Sequence, residues 1–220
     1  FVLDTRTAFS GELAVARRLH DFLLSGMEPG KKALIIGAET LSKVTDWSDR
    51  GTCVLFGDGA GAAVLKAEET GIIDMMMGAD GTKGDVLACT SRTVGNFLTG
   101  TKPELGFMTM DGQEVFKFAV RKVPESVLEL LNRTGTKKED IKYYVLHQAN
   151  ERIIEAAARR LKEPMEKFPM TISQFGNTST ASIPLLLDDM IQKDMLKRGD
   201  KIIMSGFGAG MTWGAVLMEW

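Results

Sequence analysis

The spacing of apolar residues divides the chain into alternating helices and strands. Apolar positions recur every three or four residues over 12–25, which predicts a helix. A continuous apolar run over 33–38 predicts a buried strand. Later runs predict strands over 52–56, 62–67, 72–76, 142–146, 201–205 and 213–219, and helical spacing returns over 113–132, 150–161 and 179–196. The helix over 113–132 is expected to be interrupted at Pro124, which would kink it or start a second helix. This alternation predicts an α/β fold with a central mixed sheet.

Two polar residues follow or precede these elements at positions where α/β folds place their chemistry. His147 follows the strand over 142–146, and Asn177 precedes the helix over 179–196. A neutral imidazole and a carboxamide aimed at one point are two uncharged donors, which can hold a carbonyl oxygen while negative charge grows on it. Taken alone, His147 is more typical of a core histidine, and Asn177 serves equally well as a helix N-cap. Their joint placement favours a catalytic pair.

A glycine-rich segment over 57–61 superficially resembles a dinucleotide-binding loop. That fingerprint requires a helix directly after the loop, because the helix N-terminus binds the pyrophosphate. The residues that follow, 62–65, have the pattern of a strand. We therefore interpret 57–61 as a tight turn between strands. A second glycine-rich segment over 206–210 is a better candidate for ligand contact, since glycines let backbone N–H groups approach a ligand closely.

Composition excludes several classes of function. The 220 residues carry 27 Lys and Arg against 29 Asp and Glu, a formal net charge of −2, and no nucleic-acid motif is present. Apolar runs are short and interrupted, so no membrane span is predicted. Cys53 and Cys89 form no metal-binding pattern with the two histidines, and scarce cysteine favours a reducing cytoplasm. We therefore expect a cytoplasmic protein without metal, nucleic-acid or membrane partners.

Six segments in order carry a resemblance to a known family. They are DRGT (49–52), FGDGAGAAVL (56–65), MDGQEVFK (110–117), HQAN (147–150), GNTSTAS (176–182) and GFGAGMTWG (206–214). In this combination the chain resembles β-ketoacyl-acyl-carrier-protein synthase III, a family of condensing enzymes in the thiolase superfamily. The similarity covers nearly the whole chain from Ala33 onward.

The resemblance implies a thiolase-like fold of two similar halves, stacked in layers as α-β-α-β-α. Residues 1–68 are then expected to be the end of the first half and 69–220 the whole second half. Roughly the first third of the family's chain is expected to be missing, together with part of the coenzyme A site. The first residue is Phe1 rather than Met, which agrees with this expectation. Because the family forms homodimers, a homodimer is also expected.

The chemistry implied by the resemblance is a condensation that starts fatty-acid synthesis. Malonyl-acyl-carrier protein and an acyl-coenzyme A primer are the substrates, and no further cofactor is needed. By resemblance, His147 and Asn177 hold the malonyl thioester oxygen, and the backbone N–H of Ala209 is half of an oxyanion hole. The family's nucleophilic Cys aligns with Phe9, which cannot carry an acyl group. Either this copy lacks acyl transfer, or its first dozen residues depart from the native sequence.

Binding roles follow from the same resemblance. Arg50 would stack on the coenzyme A adenine, Asn150 would line the pantetheine tunnel, and Phe207 would wall or gate the acyl pocket. Phe116 lies in a matching segment and is expected at the substrate site. Three arginines of one predicted helix would meet the acidic carrier protein: Arg152, Arg159 and Arg160. From the residues alone, a solvated helix face and a surface ion pair of Arg50 with Asp49 stay open.

Two other functions are compatible with the sequence. One is a non-catalytic subunit that binds acyl thioesters and lacks the nucleophilic Cys. The other is a relative that makes polyketides or other acyl products on the same scaffold. Neither cysteine is predicted to replace the nucleophile, because Cys53 lies in an apolar run and Cys89 has no base nearby in the sequence.

Overall fold

The structure, a computed structural model, describes residues 30–89, 96–102 and 106–220. Its strands are β1 (Lys32–Glu39), β2 (Gly59–Lys66), β3 (Ile72–Ala79), β4 (Leu87–Cys89), β5 (Met108–Met110), β6 (Ile141–Leu146), β7 (Lys201–Gly208) and β8 (Thr212–Glu219). Its α-helices are α1 (Gly112–Thr134), α2 (Glu151–Leu161), α3 (Ile172–Phe175) and α4 (Ser182–Gln192). Short 3-10 helices lie over Leu41–Lys43, Gly81–Val86, Lys138–Asp140, Met165–Lys167 and Ser179–Ala181.

The core is built on a four-stranded mixed sheet in the order β3-β8-β7-β6. β6 and β7 run parallel, and the other pairs are antiparallel. Successive side chains of β6 point to opposite faces, as a strand requires. Tyr144 and Leu146 join a cluster with α1 and α2, whereas Val145 joins a cluster with α4. The mixed sheet expected from the alternating pattern is therefore confirmed, with helices on both faces.

A second sheet, β1 paired antiparallel with β2, packs on the other side of α4. Glycines make this close approach possible. A Cβ on Gly37 would lie 2.5 Å from the carbonyl oxygen of Thr180, and one on Gly61 would lie 2.7 Å from Cβ of Pro184. The described elements thus stack as helices, sheet, helix, sheet, which agrees with the layered thiolase-like fold.

The helix α1 continues through Pro124 as one element, so the interruption predicted at this residue is wrong. Asp111 caps its start by accepting the N–H groups of Gln113 and Glu114, and Gly135 ends it in the left-handed conformation. A proline has no N–H, so the carbonyl of Val120, four residues earlier, loses its intrahelical donor. Arg160 of α2 supplies a replacement, since its guanidinium donates to the Val120 carbonyl oxygen at 2.7 Å. This bond ties α2 to α1.

Several sequence-based predictions about these elements differ from the structure. The segment predicted as a strand over 52–56 consists of turns, because the N–H groups of residues 52 and 53 bond back to the Asp49 carbonyl. The helix predicted over 179–196 is a 3-10 turn followed by α4, which ends at Gln192. β1 exists but is not buried: Leu34 and Ile36 are each 55% exposed. Among the described residues no helix is long and apolar enough to cross a membrane.

Candidate active site

His147 leaves the main sheet directly after β6. Its N–H still donates to the Ser205 carbonyl of β7 at 2.8 Å, so the backbone is held in the sheet's hydrogen-bond ladder. The next residues turn away and begin α2 at Glu151. The strand therefore delivers the imidazole to the carboxyl edge of two parallel strands, β6 and β7, the edge where α/β folds bind ligands.

Two neighbours fix the ring of His147. Its Nδ1 lies 2.6 Å from Oγ of Ser182, the first residue of α4. The ring of Phe207 packs against it edge to face, with centroids 5.4 Å apart and planes at 69°. Burial disfavours the charged ring and lowers the pKa of His147 to about 4. At neutral pH His147 is therefore an uncharged group that can donate one N–H.

Asn177 is held at both its backbone and its side chain. Its N–H donates to the Leu55 carbonyl at 2.9 Å, and its carbonyl accepts the N–H of Gly57 at 2.9 Å. The side-chain oxygen accepts the N–H of Ser179, also at 2.9 Å, which starts the following 3-10 turn. With Oδ1 committed to the backbone, the amide NH₂ is the group left to act on a ligand.

The segment over 57–61, where β2 of the second sheet begins, packs closely against the residues on either side of Asn177. A Cβ on Gly57 would overlap the carbonyl oxygen of Phe175. A Cβ on Gly59 would lie 3.0 Å from Cγ2 of Thr178. The interpretation of 57–61 as a turn between strands was wrong, because β2 already begins at Gly59. The strand that follows confirms that the segment is no dinucleotide-binding loop.

Gln148 links the two catalytic candidates a second time. The residue is 1% exposed, and both polar atoms of its side chain make hydrogen bonds. Nε2 donates to the Leu146 carbonyl at 2.7 Å, and Oε1 accepts the N–H of Thr171 at 3.0 Å. Thr171 precedes α3, which leads directly to Asn177. The segments that carry His147 and Asn177 are therefore joined through Gln148 as well as through Ser182.

Ala209 lies in the turn between β7 and β8. Thr212 closes that turn, since its Oγ1 donates to the Ala209 carbonyl at 3.0 Å. Phe207 stands two residues earlier, on the strand that pairs with β6, and contacts His147. The structure thus brings His147 and Phe207 together and places Ala209 on the adjoining turn. Phe9 lies outside the described residues.

The residues expected to bind coenzyme A and substrate, unlike Phe207, lie apart from His147. Arg50 is exposed and makes no ion pair with Asp49, because the Asp49 carboxylate instead accepts the N–H of Gly51 at 2.9 Å and the hydroxyl of Thr52 at 2.7 Å. Asn150 caps α2, its Oδ1 accepting the Arg152 N–H at 2.9 Å. Phe116 is half-buried in the second turn of α1. None of these three has a described contact to His147.

The three arginines of α2 divide into two groups. Arg152 and Arg159 are exposed, and Arg159 lies 3.6 Å from Glu155 of the same helix. Arg160 is also at the surface, but one of its N–H groups is used to bond the carbonyl of Val120. Arg160 therefore has a structural task in addition to any role at the surface.

Sequence reasoning missed Ser182, Gln148 and Gly57 as parts of the site. Ser182 and Gln148 lie within the matching segments GNTSTAS and HQAN, so their position in the motif was the available signal. Their contacts were not predictable from it, because each bonds a partner 23 to 35 residues away. Gly57 was recognised as part of a glycine-rich segment, but its close packing against the segment that carries Asn177 is visible only in the tertiary structure.

The low pKa of His147 predicts an acid-sensitive fold. Its folded-state value of about 4 lies below the ordinary 6.5, so between these values the unfolded chain binds a proton that the folded chain does not. Stability is then lost as pH falls from 6.5 through 4, by up to about 3 kcal/mol. Denaturant melts of the wild type and His147→Gln at pH 7 and pH 5 measure this. The contributions of all other titratable groups to the unfolding free energy are shared by the two proteins and cancel in the difference. Parallel pH curves for the two proteins would contradict it.

Comparison with known proteins relates the chain to one family. Residues 3–81 match the family described as 3-Oxoacyl-[acyl-carrier-protein (ACP)] synthase III, and residues 131–220 match the description of its C-terminal part. A Clostridium novyi (strain NT) protein named Beta-ketoacyl-[acyl-carrier-protein] synthase III is 51% identical over 216 residues, 97% of this chain and 65% of that protein. The protein of that name from Clostridium acetobutylicum is 45% identical over 219 residues, 99% of this chain and 67% of that protein.

A solved structure gives the same relationship. The crystal structure of 3-oxoacyl-[acyl-carrier-protein] synthase III from Aquifex aeolicus VF5 matches with a TM-score of 0.81 and 41% identity, covering 97% of this chain and 65% of that chain. The chain therefore spans about two thirds of the length of the relatives it matches.

Proposed function

The chain belongs to the β-ketoacyl-[acyl-carrier-protein] synthase III family, and we propose that it condenses malonyl-acyl-carrier protein with an acyl-coenzyme A primer to start fatty-acid synthesis. The observation that carries the proposal is a neutral His147, fixed by Ser182 and Phe207, on a segment tied to that of Asn177. Two uncharged donors fixed before substrate binds suit the stabilisation of an enolate.

The decarboxylation step uses these two donors. The bond between the malonyl α-carbon and its carboxylate breaks, CO₂ leaves, and the electron pair moves into the thioester, whose oxygen becomes an enolate. The ring N–H of His147 and the amide of Asn177 would hold that oxygen. A neutral histidine serves this purpose well, because it needs no desolvation of a buried charge.

The condensation step needs an acyl thioester on the enzyme. The enolate carbon would attack the acyl carbonyl, forming the new carbon–carbon bond while the thiolate leaves. The backbone N–H of Ala209 is proposed to stabilise the oxyanion of this transfer together with the N–H at position 9. Since Phe9 offers no thiol, the sequence as it stands should decarboxylate malonyl thioesters, and its enolate should take up a proton to give an acetyl thioester.

Two measurements on the purified protein test this assignment. The wild-type chain is expected to release CO₂ from malonyl-acyl-carrier protein. An acetyl adduct from acetyl-coenzyme A, detected by intact mass, is expected in the Phe9→Cys variant and not in the wild type. Condensed product should likewise require the Phe9→Cys variant. Absence of CO₂ release from both proteins would favour a non-catalytic subunit that only binds acyl thioesters.

The carrier protein is proposed to dock on α2. Arg152 and Arg159 are seven residues apart on that helix, exposed, and therefore available to an acidic partner. Arg160 would contribute its charge to the same surface while it holds the Val120 carbonyl. Such rim charges favour the rate and orientation of encounter more than tight binding.

The remaining assignments are proposals of the same kind. Arg50 is proposed to stack on the coenzyme A adenine, which its exposure permits. Asn150 and Phe116 are proposed to line the approach to the site, and Phe207 to wall the acyl pocket. The protein is proposed to act as a cytoplasmic homodimer, with residues 1–68 and 69–220 belonging to the first and second halves of the fold.

A further inference from the structure

Ser182 is a buried serine at the first residue of α4, with 2% of its surface exposed. Its Oγ lies 2.6 Å from Nδ1 of His147 and 3.3 Å from the backbone nitrogen of Gln148. Both partners come from the segment that follows β6, 34 and 35 residues away along the chain. The Ser182 hydroxyl therefore contacts the ring of His147 at Nδ1 and not at Nε2.

The hydrogen-bonding capacity of the hydroxyl decides which ring nitrogen carries the proton. A serine hydroxyl donates one hydrogen and accepts up to two. The Gln148 N–H can only donate, so it occupies one acceptor position of Oγ. Within the part of the chain that the structure describes, Nδ1 of His147 is the acceptor within hydrogen-bonding distance of Oγ. The Ser182 hydrogen is satisfied there if Nδ1 is unprotonated.

The opposite tautomer leaves a buried group without a partner. With the proton on Nδ1, Oγ would accept from both Gln148 and His147, and its own hydrogen would point at no described acceptor. A buried polar hydrogen left unpaired is costly, which is why most such groups are bonded in folded proteins. The arrangement therefore favours the form with the proton on the other nitrogen, Nε2.

We propose that Ser182 is a positioning residue that holds His147 in its Nε2–H tautomer and so presents an N–H donor to the reacting oxygen. This rests on the proposed function, in which His147 holds the enolate oxygen. Because the ring is neutral at working pH, the tautomer alone decides whether Nε2 offers a hydrogen or a lone pair. A lone pair at Nε2 would repel the developing negative charge.

The same serine couples the two donors of the site. Ser182 follows Asn177 by five residues, and the intervening turn Ser179–Ala181 is itself started by the Asn177 side chain. The segment over 177–182 thus positions the amide of Asn177 and, through Ser182, also determines which ring nitrogen of His147 carries the proton. Sequence reasoning assigned no role to Ser182.

The tautomer can be measured directly by ¹⁵N NMR of histidine labelled at both ring nitrogens. The chain has two histidines, His20 and His147, so a His20→Gln variant leaves the ring of interest alone. At pH 7 Nδ1 is expected to give the unprotonated signal and Nε2 the protonated one. A His147 ring protonated at Nδ1 in this protein would overturn the proposal, whatever further variants do.

Ser182→Ala removes the hydroxyl with little change in volume. The Nδ1–H form is then expected to become populated, and malonyl decarboxylation to fall by about 10- to 100-fold, the size seen when a hydrogen-bond partner that orients a metal-binding histidine is removed. KM should be less affected than kcat. Ser182→Thr keeps a hydroxyl and should restore both the tautomer and most of the rate. Ser126→Ala is the matched control, since Ser126 is another buried serine, 1% exposed, bonded to Val123 and Ser205.

The two readouts separate this proposal from the proposed function. If no variant or wild type releases CO₂, the assigned reaction fails, while the NMR spectra still report on Ser182. If the wild type is active and Ser182→Ala changes neither tautomer nor rate, the role of Ser182 is refuted and the reaction stands. A tautomer shift in Ser126→Ala as large as that in Ser182→Ala would also refute it, because the effect would then be general loosening.

Discussion

Replacing His147 or Asn177 by alanine is expected to slow malonyl decarboxylation by about 10²–10³-fold each, the usual consequence of removing one fixed donor from a developing oxyanion. The large effect is expected because both groups are held before substrate arrives. His147 is fixed by Ser182 and Phe207, and Asn177 by bonds to Leu55, Gly57 and Ser179. The measurement is the rate of CO₂ release from saturating malonyl-acyl-carrier protein.

Acyl transfer should be less sensitive to the same changes. In a Phe9→Cys background, transfer from acetyl-coenzyme A should fall less than decarboxylation, because the two donors are proposed to hold the malonyl thioester oxygen, which takes no part in this transfer. Gln192→Ala is a suitable control for Asn177→Ala, since Gln192 is an exposed carboxamide on α4 bonded to Asp188. Equal loss of both half-reactions would argue against separate roles for the two donors.

Gly57→Ala is expected to disable the site without touching a donor. A Cβ at this position would overlap the carbonyl of Phe175, so either residue 57 or the segment that leads to Asn177 must move. Overpacking of this kind costs about 1–3 kcal/mol in unfolding free energy. A displacement of the Asn177 amide by 1 Å would by itself cost about 10²-fold in rate. Chemical denaturation and CO₂ release measure the two effects.

Gly112→Ala provides the comparison for this glycine. Gly112 is the first residue of α1, and a Cβ there would make only an ordinary contact with Met110, at 3.7 Å. Alanine is favoured over glycine in a helix by about 0.5–1 kcal/mol, so Gly112→Ala should be neutral or slightly stabilising. Full activity in Gly57→Ala would show that the position of the Asn177 amide does not depend on the close packing at Gly57.

Much of the fold was predictable because it depends on local periodicity. The helical spacing over 113–132 and 150–161 reappears as α1 and α2, and the apolar runs over 142–146 and 201–205 as β6 and β7. β1 shows where this reasoning failed. Its continuous apolar run predicted burial, yet Leu34 is 55% exposed, because burial depends on which elements pack against a strand. Local pattern specifies the strand but not its neighbours.

The predicted strand over 52–56 failed for a related reason. Its apolar residues suit a strand, but the Asp49 carbonyl captures the N–H groups of residues 52 and 53, so the chain turns instead. The Asp49 carboxylate adds bonds to Gly51 and Thr52. Competition between a local polar side chain and a sheet ladder is decided by geometry that apolar patterning does not contain.

The sequence by itself determined the α/β class, the family, and the placement of His147 directly after a strand, because period, motif order and strand ends are all readable along one chain. Tertiary structure alone decided what holds the candidates in place. The bonds of Ser182 to His147, of Gln148 to Thr171 and of Arg160 to Val120 join residues 23 to 40 positions apart. A polar side chain can satisfy many partners in principle, and packing selects one of them, so its task becomes visible only once the layers are assembled.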